Sequence, residues 1–163
     1  MPPRVGDQEL PLNAVTSRKN DANPRASLSA ICLTLPEATA TDGQHIKFEV
    51  RGKTFAHFLD DHHGDGRIAL NCKVAPGDQD VLLRMDPGLF FIPAYLGAKG
   101  WIGMRLDCRN VDWDQVQQLV TDSYRMIAPR RLAAIVSSSL LTAVRSATRH
   151  SLVPQRDSPP PYR

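Results

Sequence analysis

Hydrophobic residues alternate with polar or small ones at residues 46–50 and again at residues 68–74. A period of two residues is typical of β-strands with one buried face. Arg51-Gly52 follows the first of these segments, so it predicts a tight hairpin turn into a second strand at residues 54–59. The sequence DDHHGDG, residues 60–66, predicts another turn before the third strand, because these residue types tolerate a left-handed backbone.

A spacing of three or four residues between hydrophobic positions predicts helices on either side of these strands. The first is expected from Pro24 to Leu35, with Asn23 as its N-cap and the apolar face Leu28, Ile31, Cys32 and Leu35. A longer helix is expected to follow the N-cap Asp112. Its apolar stripe comprises Trp113, Val116, Val120, Tyr124 and Ile127.

The stretch between these regions predicts a short helix followed by two more strands. Residues 78–84 form the helix, with Val81, Leu82 and Met85 expected to point inward. Residues 89–92 are apolar on both faces, which predicts a strand inside the sheet or beneath a helix. A loop over residues 93–100 then leads to a strand over residues 101–106, with Ile102, Met104 and Leu106 on one face.

The order of these elements predicts an α+β fold. Strands joined by short turns form an antiparallel sheet, and the helices pack on one face of that sheet. We expect a single domain over residues 23–144, closed by a helix over residues 130–144. Residues 1–22 are predicted as a disordered N-terminal tail and residues 145–163 as a disordered, basic, proline-rich C-terminal tail.

The net charge of +3 is unevenly distributed along the chain. Residues 26–124 carry nine basic and thirteen acidic residues, whereas residues 125–163 carry seven basic residues and one acidic residue. The predicted sheet region is therefore mildly acidic. Nucleic-acid-binding proteins usually carry basic charge on the folded surface that docks, so this distribution meets that expectation only in part.

The predicted location of the protein is the cytoplasm. No apolar run reaches the length of about 20 residues that a membrane-spanning helix needs, and the N-terminus does not resemble a signal peptide. The three cysteines, Cys32, Cys72 and Cys108, form no C-x-x-C pair, and we expect them to be buried reduced thiols. We expect no membrane partner, and a monomer is favoured.

Four motifs in order resemble the MmcQ/YjbR family: LPEAT at residues 35–39, FEVRGKTFA at residues 48–56, PAYLGAKGWIGMRLD at residues 93–107, and SYRMIAPRRL at residues 123–132. The resemblance covers residues 24–132. It implies a CyaY-like fold and a DNA-binding role through a double wing. Many members of the family carry histidines in the third motif. Here that run is YLGAKGW, which leaves Tyr95, Lys99 and Trp101 to carry a binding role.

Basic residues at the two expected hairpin tips are the candidates for nucleic-acid contact. Arg51 and Lys53 flank the first turn, and Lys99 lies in the second loop; Arg105 and Arg109 follow the second wing and are expected to extend the same surface. Turns are commonly solvated and commonly carry Lys and Arg, so a plain surface role is the alternative. The arginines of the C-terminal segment offer a separate, sequence-independent route to phosphates.

A small-ligand or protein-interaction role through the loop from Tyr95 to Trp101, without DNA, is the alternative function. Tyr95 and Trp101 are its ligand-binding candidates, because aromatic rings can stack on a flat ligand. They can equally fix the loop by burying their rings. DDHHGDG contains metal-ligand residue types, but turn chemistry explains the same composition. No catalytic motif is present, so we predict a non-enzymatic protein without a metal or cofactor.

Overall fold

The computed structural model describes residues 23–136. The tails predicted at residues 1–22 and 145–163 lie outside the described residues, as does the predicted helix beyond residue 136. The domain boundaries expected from the sequence therefore stay predictions.

Six strands form one sheet in which every neighbouring pair is antiparallel. Their order across the sheet is β1-β2-β3-β4-β6-β5. The strands are β1 (Ala38–Ala40), β2 (Ile46–Val50), β3 (Lys53–Asp60), β4 (Ile68–Lys73), β5 (Phe90–Phe91) and β6 (Trp101–Arg105).

Four helices accompany this sheet: α1 (Pro24–Leu33), α2 (Asp78–Met85), α3 (Trp113–Ile127) and α4, which is described over residues 130–136. Helices α1 and α3 contact each other and the central strands, and their buried side chains share one core with the inward-facing residues of the sheet. We call this the inner face of the sheet and the opposite one the outer face. The predicted α+β fold, with helices packed on one face of an antiparallel sheet, is confirmed.

The turn between β2 and β3 has the predicted length and position. Arg51 and Gly52 both have positive φ values, 51° and 73°, which is the backbone that a two-residue hairpin turn favours. A β-bulge between Phe48 and Glu49 shifts the register of this hairpin. It turns Phe55 into the core, where its ring packs edge-on against Tyr124 at 5.3 Å between ring centroids.

Helix α3 is fastened to the sheet by two hydroxyl groups. The buried Ser123 hydroxyl donates to the carbonyl of Phe55 at 2.5 Å and accepts the N–H of Lys73 at 2.9 Å. The last β3–β4 pair is Ala56 and Cys72. Ser123 therefore joins Phe55 and Lys73, the two residues that would form the next pair. The Tyr124 hydroxyl donates to the carbonyl of Pro36 at 2.6 Å. The helix begins as predicted at Asp112, whose side chain accepts the N–H groups of residues 114 and 115.

Several sequence-based expectations about the sheet are wrong. β1 was not predicted, because its residues ATA are small and form an exposed edge without an apolar pattern. β5 was expected inside the sheet or beneath a helix. It is a two-residue edge strand, since the pairing places it beyond β6, and it contacts α2. It is apolar on both sides because Phe90 lies in the core while Phe91 lies against the outer face.

Other corrections concern burial. Val81 and Met85 of α2 were expected to point inward, but they are 57% and 62% exposed. Only Leu82 and Leu83 of that helix reach the core, because α2 packs at the sheet edge rather than on its face. Cys32 and Cys72 are buried free thiols, as expected, whereas Cys108 is partly exposed because it lies in the loop after β6.

Within residues 23–136, no helix has both the length and the apolar character that crossing a membrane requires.

Candidate functional site

One row of residues crosses the outer face of the sheet. Lys47, His57, Asn71, Gly103 and Phe91 are successive cross-strand partners on β2, β3, β4, β6 and β5. Their neighbours along each strand face the core, so these five point away from the helices. The row therefore places charged, neutral polar and apolar groups side by side on a surface that the helices leave free.

A cavity of about 830 Å³ lies over this row. Its floor is formed by His57, Asn71 and their neighbours on β3 and β4, one wall by the turn at residues 62–65, and the other by residues 91–96. Its volume lies within the range of about 300–1,000 Å³ typical of small-molecule sites. The outer face is thus a concave surface of suitable size rather than a flat sheet.

His57 is a neutral side chain in the cavity floor. Burial lowers the pKa of its imidazole to about 4, and the nearby Lys47 ammonium acts in the same direction. Its ring meets Trp101 edge-on at 5.3 Å between centroids. At neutral pH His57 therefore offers one N–H donor and one ring-nitrogen acceptor without a charge.

Asn71 is the second polar residue in the floor, and it is only 3% exposed. Its Oδ1 has no hydrogen-bond partner among the described protein groups. Buried polar atoms are normally paired, because an unpaired one costs about 1–3 kcal/mol of stability. Asn71 is the only buried side chain of residues 23–136 with such an atom, which makes it the strongest indication of a ligand site.

The loop that carries Tyr95 forms one wall of the cavity. Tyr95 is 89% exposed, and its backbone is left-handed with φ of 64°, which is unusual for a bulky residue. The Gln79 side-chain amide of α2 donates to the carbonyls of Gly97 at 2.9 Å and Trp101 at 2.8 Å. Gln79 thereby fixes the base of the loop while the Tyr95 ring stays available at the cavity mouth.

Phe91 supplies the apolar end of the same wall. A Cβ atom on Gly103 would come within 2.3 Å of the Phe91 ring, so glycine is required at position 103 for the ring to lie against β6. The Arg67 guanidinium lies 5.0 Å from the centroid of this ring, within cation–π distance. Arg67 is therefore held at the cavity edge by an aromatic contact.

Histidines His45, His62 and His63 lie at the opposite edge of the cavity. His45 Nε2 and His62 Nδ1 are 3.5 Å apart, and the rings of His62 and His63 are 4.0 Å apart between centroids. No group of three or more His, Cys, Asp or Glu residues among residues 23–136 has the geometry of a metal site.

The segment DDHHGDG is a turn, as predicted. Asp61 Oδ1 accepts the Gly66 N–H at 2.7 Å, and Asp65 Oδ1 accepts the Arg67 N–H at 3.0 Å. Both carboxylates thus serve the turn backbone, which is the structural role that such residues commonly have.

The two predicted wings are the β2–β3 and β5–β6 hairpins, and their tips lie at the same end of the sheet. Trp101, at the start of β6, is opposite Lys73 at the end of β4. The end of β4 lies beside the start of β3, so Lys53 and Lys99 are at the same end of the sheet. Arg105 is opposite Ala69 at the far end, and Arg109 follows it there. The expectation that Arg105 and Arg109 extend the tip surface is therefore wrong, because β6 runs the length of the sheet.

Two of the arginines predicted to contact nucleic acid form ion pairs with carboxylates of this chain. Arg51 forms a bidentate ion pair with Glu37, which holds the pKa of that carboxyl below its usual range. Arg105 pairs with Asp107 through two bonds of 3.0 and 2.9 Å. Lys53 and Lys99 form no ion pair with any residue of the described range.

Tyr95 and Trp101 differ in what they contact. Tyr95 lines the cavity mouth, whereas Trp101 is 8% exposed and packs behind His57 without lining the cavity. Sequence reasoning did not select His57, Asn71, Lys47 or Phe91 as site residues. The period-two pattern of β2 and β4 did place Lys47 and Asn71 on the polar face, but only the strand register brings all four together.

Comparison with known proteins agrees with this fold. A family model described as YjbR matches residues 33–126. Among solved structures, the chain is similar to the crystal structure of the Deinococcus radiodurans protein DR2400, family-model domain DUF419. That match has a TM-score of 0.51 and 23% sequence identity, and it covers 61% of this chain and 74% of that one. No curated protein matches the chain.

The structural match, at this identity, supports the fold alone. The family match is narrower than the resemblance inferred from the four motifs, but it includes the whole cavity floor and the Tyr95 loop. Because the family model covers more than half of the 163 residues, this protein belongs to the YjbR family.

Proposed function

We propose that this protein binds a small organic molecule in the outer-face cavity and is not an enzyme. Asn71 carries this proposal, because its buried Oδ1 lacks a protein partner at the floor of the cavity. An apolar residue at this position of β4 would avoid the cost of a buried unpaired amide. The Oδ1 atom is enclosed in the orientation described, and a half-turn of the amide would turn it toward the cavity, where a ligand donor offsets that cost.

The walls support the same function. The Tyr95 ring at the mouth and the Phe91 ring at the edge strand provide aromatic surface, while His57 adds a neutral donor and acceptor beside Asn71. Sites for small molecules typically combine an apolar lining with a few convergent polar groups. This role corresponds to the alternative function inferred from the sequence, with its centre moved from the loop to the sheet.

The state of the nucleophilic groups supports binding rather than catalysis. Burial raises the pKa of the Cys72 thiol to about 12 and also raises that of Cys32, so both thiols are protonated at neutral pH. The Ser123 hydroxyl is engaged with the backbone on the inner face of the sheet. His57 packs against an indole ring rather than a nucleophile.

Tryptophan fluorescence tests this function directly. The chain has two tryptophans, so Trp113→Phe leaves Trp101, which lies behind His57, as the reporter. Titration with a fragment library is expected to find compounds that change the Trp101 emission saturably. The response should disappear in Asn71→Leu and remain in Asn110→Leu, which alters an exposed residue. An equal response in Asn71→Leu and its parent would overturn the assignment.

We propose DNA contact at the two wing tips as a second candidate function, favoured by the shared location of Lys53 and Lys99 at one end of the sheet. Neither lysine has an ion pair with a described residue, so both ammonium groups are available to phosphates. Arg51 would first have to leave Glu37.

Charge reversal separates this candidate from general electrostatic attraction. Lys53→Glu and Lys99→Glu should each weaken binding of a short labelled duplex and reduce its salt dependence, because each removes a phosphate contact. Arg84→Glu, on the exposed side of α2, changes the net charge equally but away from the tips. Equal weakening by all three variants would contradict a tip interface.

A cytoplasmic location and a monomeric state stay predictions from the sequence. Fractionation of cells that express the protein tests its location. Light scattering coupled to gel filtration of the full chain measures its oligomeric state.

A further inference from the structure

The chemistry of the outer-face row changes in one direction across the sheet. It begins with the cation Lys47 on β2, continues through the neutral His57 and Asn71, and ends at Gly103 and the apolar Phe91. Neighbouring strands are about 4.8 Å apart, so β2 and β6 are separated by roughly 14 Å. The Phe91 ring reaches back from β5 and lies over Gly103 of β6, so this is the span from the Lys47 backbone to the aromatic end. A ligand lying across the strands meets these three environments in sequence.

The β2 end attracts negative charge. Lys47 has no ion pair with a described residue, and its ammonium lowers the pKa of His57 more strongly than the Glu49 carboxylate raises it. Lys47 lines the cavity, so its ammonium group at this end favours an anionic group of the ligand.

Two carboxylates also face the cavity, but both lie on its outer turns. Asp65 accepts the backbone N–H of Arg67, and Asp42 lies in the exposed bend before β2. The Arg67 guanidinium is held near the Phe91 ring at the edge of the cavity. The acidic groups thus lie on turns at the rim, whereas Lys47 lies on a strand directly beside His57 of the floor.

The middle of the floor requires an uncharged polar group. Asn71 and His57 carry no net charge at neutral pH, and Asn71 is almost completely buried. A side-chain amide can present its oxygen or its NH₂ group after a half-turn, so it complements an amide or hydroxyl group of a ligand. A charged group at this position would lose its hydration without a counter-charge.

The β5 end accepts a flat apolar group. The Phe91 ring, Ile92, Pro93 and Leu96 line this part of the cavity, and position 103 provides no side chain that would fill it. Apolar walls on one side and an aromatic ring at the mouth, Tyr95, suit a planar ring.

We infer that the cavity takes an elongated amphipathic carboxylate, with its anionic group at Lys47, an amide-like group at Asn71 and a planar apolar group at Phe91. This inference rests on the proposed small-molecule function and specifies its ligand class. N-Benzoylglycine has these three parts in the same order, so it is a suitable probe.

Calorimetric titration of the full chain with three matched compounds tests this order. N-Benzoylglycine is expected to bind about tenfold more tightly than its neutral carboxamide, a difference of about 1.4 kcal/mol, because only the acid forms a charge-assisted contact with Lys47. That ratio should approach one in Lys47→Gln and persist in Lys53→Gln, a matched loss of charge outside the cavity. 4-Phenylbutanoate, which has the same number of atoms between ring and carboxylate but lacks the amide, should bind more weakly than N-benzoylglycine, and this difference should vanish in Asn71→Leu.

Equal binding of the acid and its carboxamide would overturn the inferred ligand class. So would a preference for the acid that survives Lys47→Gln. The small-molecule function would still stand if unrelated fragments altered Trp101 emission in an Asn71-dependent manner. If neither the probes nor any fragment gave such a response, the proposed function itself would fail.

Discussion

His57 and Asn71 lie directly opposite each other on β3 and β4, and together they form a neutral polar pair in the floor of the outer-face cavity. Both are withdrawn from solvent although both belong to the sheet face that carries no helix. Asn71 Oδ1 has no hydrogen-bond partner among residues 23–136. The proposed ligand site is centred on this pair.

Replacing Asn71 should separate stability from binding. Asn71→Leu keeps the branched shape but removes the unpaired amide, so we expect the free energy of unfolding to rise by about 1 kcal/mol. Ligand response should be lost in the same variant, which is the pattern of a residue retained for function. Urea denaturation measures the first effect. Asn110→Leu, at an exposed site, should remain within about 0.5 kcal/mol of the parent.

Protonation of His57 should make the protein less stable in acid. Its folded-state pKa of about 4 lies below the value of 6.5 expected when unfolded, so between these values the unfolded chain binds more protons. The free energy of unfolding should therefore fall as pH decreases from 6.5 to 4, by at most about 1.4 kcal/mol per pH unit from this residue.

The control for this effect is His57→Gln, which keeps a neutral polar group and cannot titrate. Denaturation of both proteins at several pH values between 7 and 4 gives the difference that belongs to His57, because other titrating groups are common to both. Parallel pH profiles for the two proteins would show that the imidazole is not buried as described.

Gly103 should be coupled to Phe91. In Gly103→Ala the new Cβ would meet the ring at 2.3 Å, so the ring must move and stability should fall by about 1–3 kcal/mol. Phe91→Leu should relieve most of this additional cost, because the contacting ring carbons are absent. A double-mutant cycle measures the interaction. Additive effects of the two substitutions would contradict the close contact.

Ser123 should contribute to the attachment of α3. Ser123→Ala removes the hydroxyl that joins the Phe55 carbonyl to the Lys73 N–H, and it leaves both backbone groups without this partner. We expect a loss of about 1–3 kcal/mol in the free energy of unfolding. Gln117→Ala, at an exposed position of the same helix, is the matched control. Equal stability of the two variants would mean that the bridge contributes nothing.

Local sequence patterns predicted those parts of the fold that depend on neighbouring residues. The Arg51-Gly52 turn and the Asp112 cap each need only a few adjacent positions, and both are confirmed. The family follows from motifs that each occupy one stretch of chain. The edge strand β1 escaped prediction because its small residues carry no periodic signal, and α2 was misoriented because an apolar residue need not face the core.

The site could not be predicted in the same way, because it is made by pairing between strands. In the sequence, Asn71 is one polar residue in an alternating strand, and no local pattern indicates that His57 will lie opposite it. Trp101 and Tyr95 looked equivalent on either side of one loop. The left-handed backbone at Tyr95 and the burial of Trp101 behind His57 gave them different environments.

The most direct test of a ligand site at Asn71 is a nitrogen-edited NMR titration of the full chain with N-benzoylglycine. The account predicts saturable shifts of the Asn71 side-chain NH₂ and of the Trp101 indole N–H, with no shift of the Trp113 indole N–H, since Trp113 lies on α3 across the sheet. Shifts confined to the tip residues Lys53 and Lys99, or equal shifts of both indoles, would contradict it.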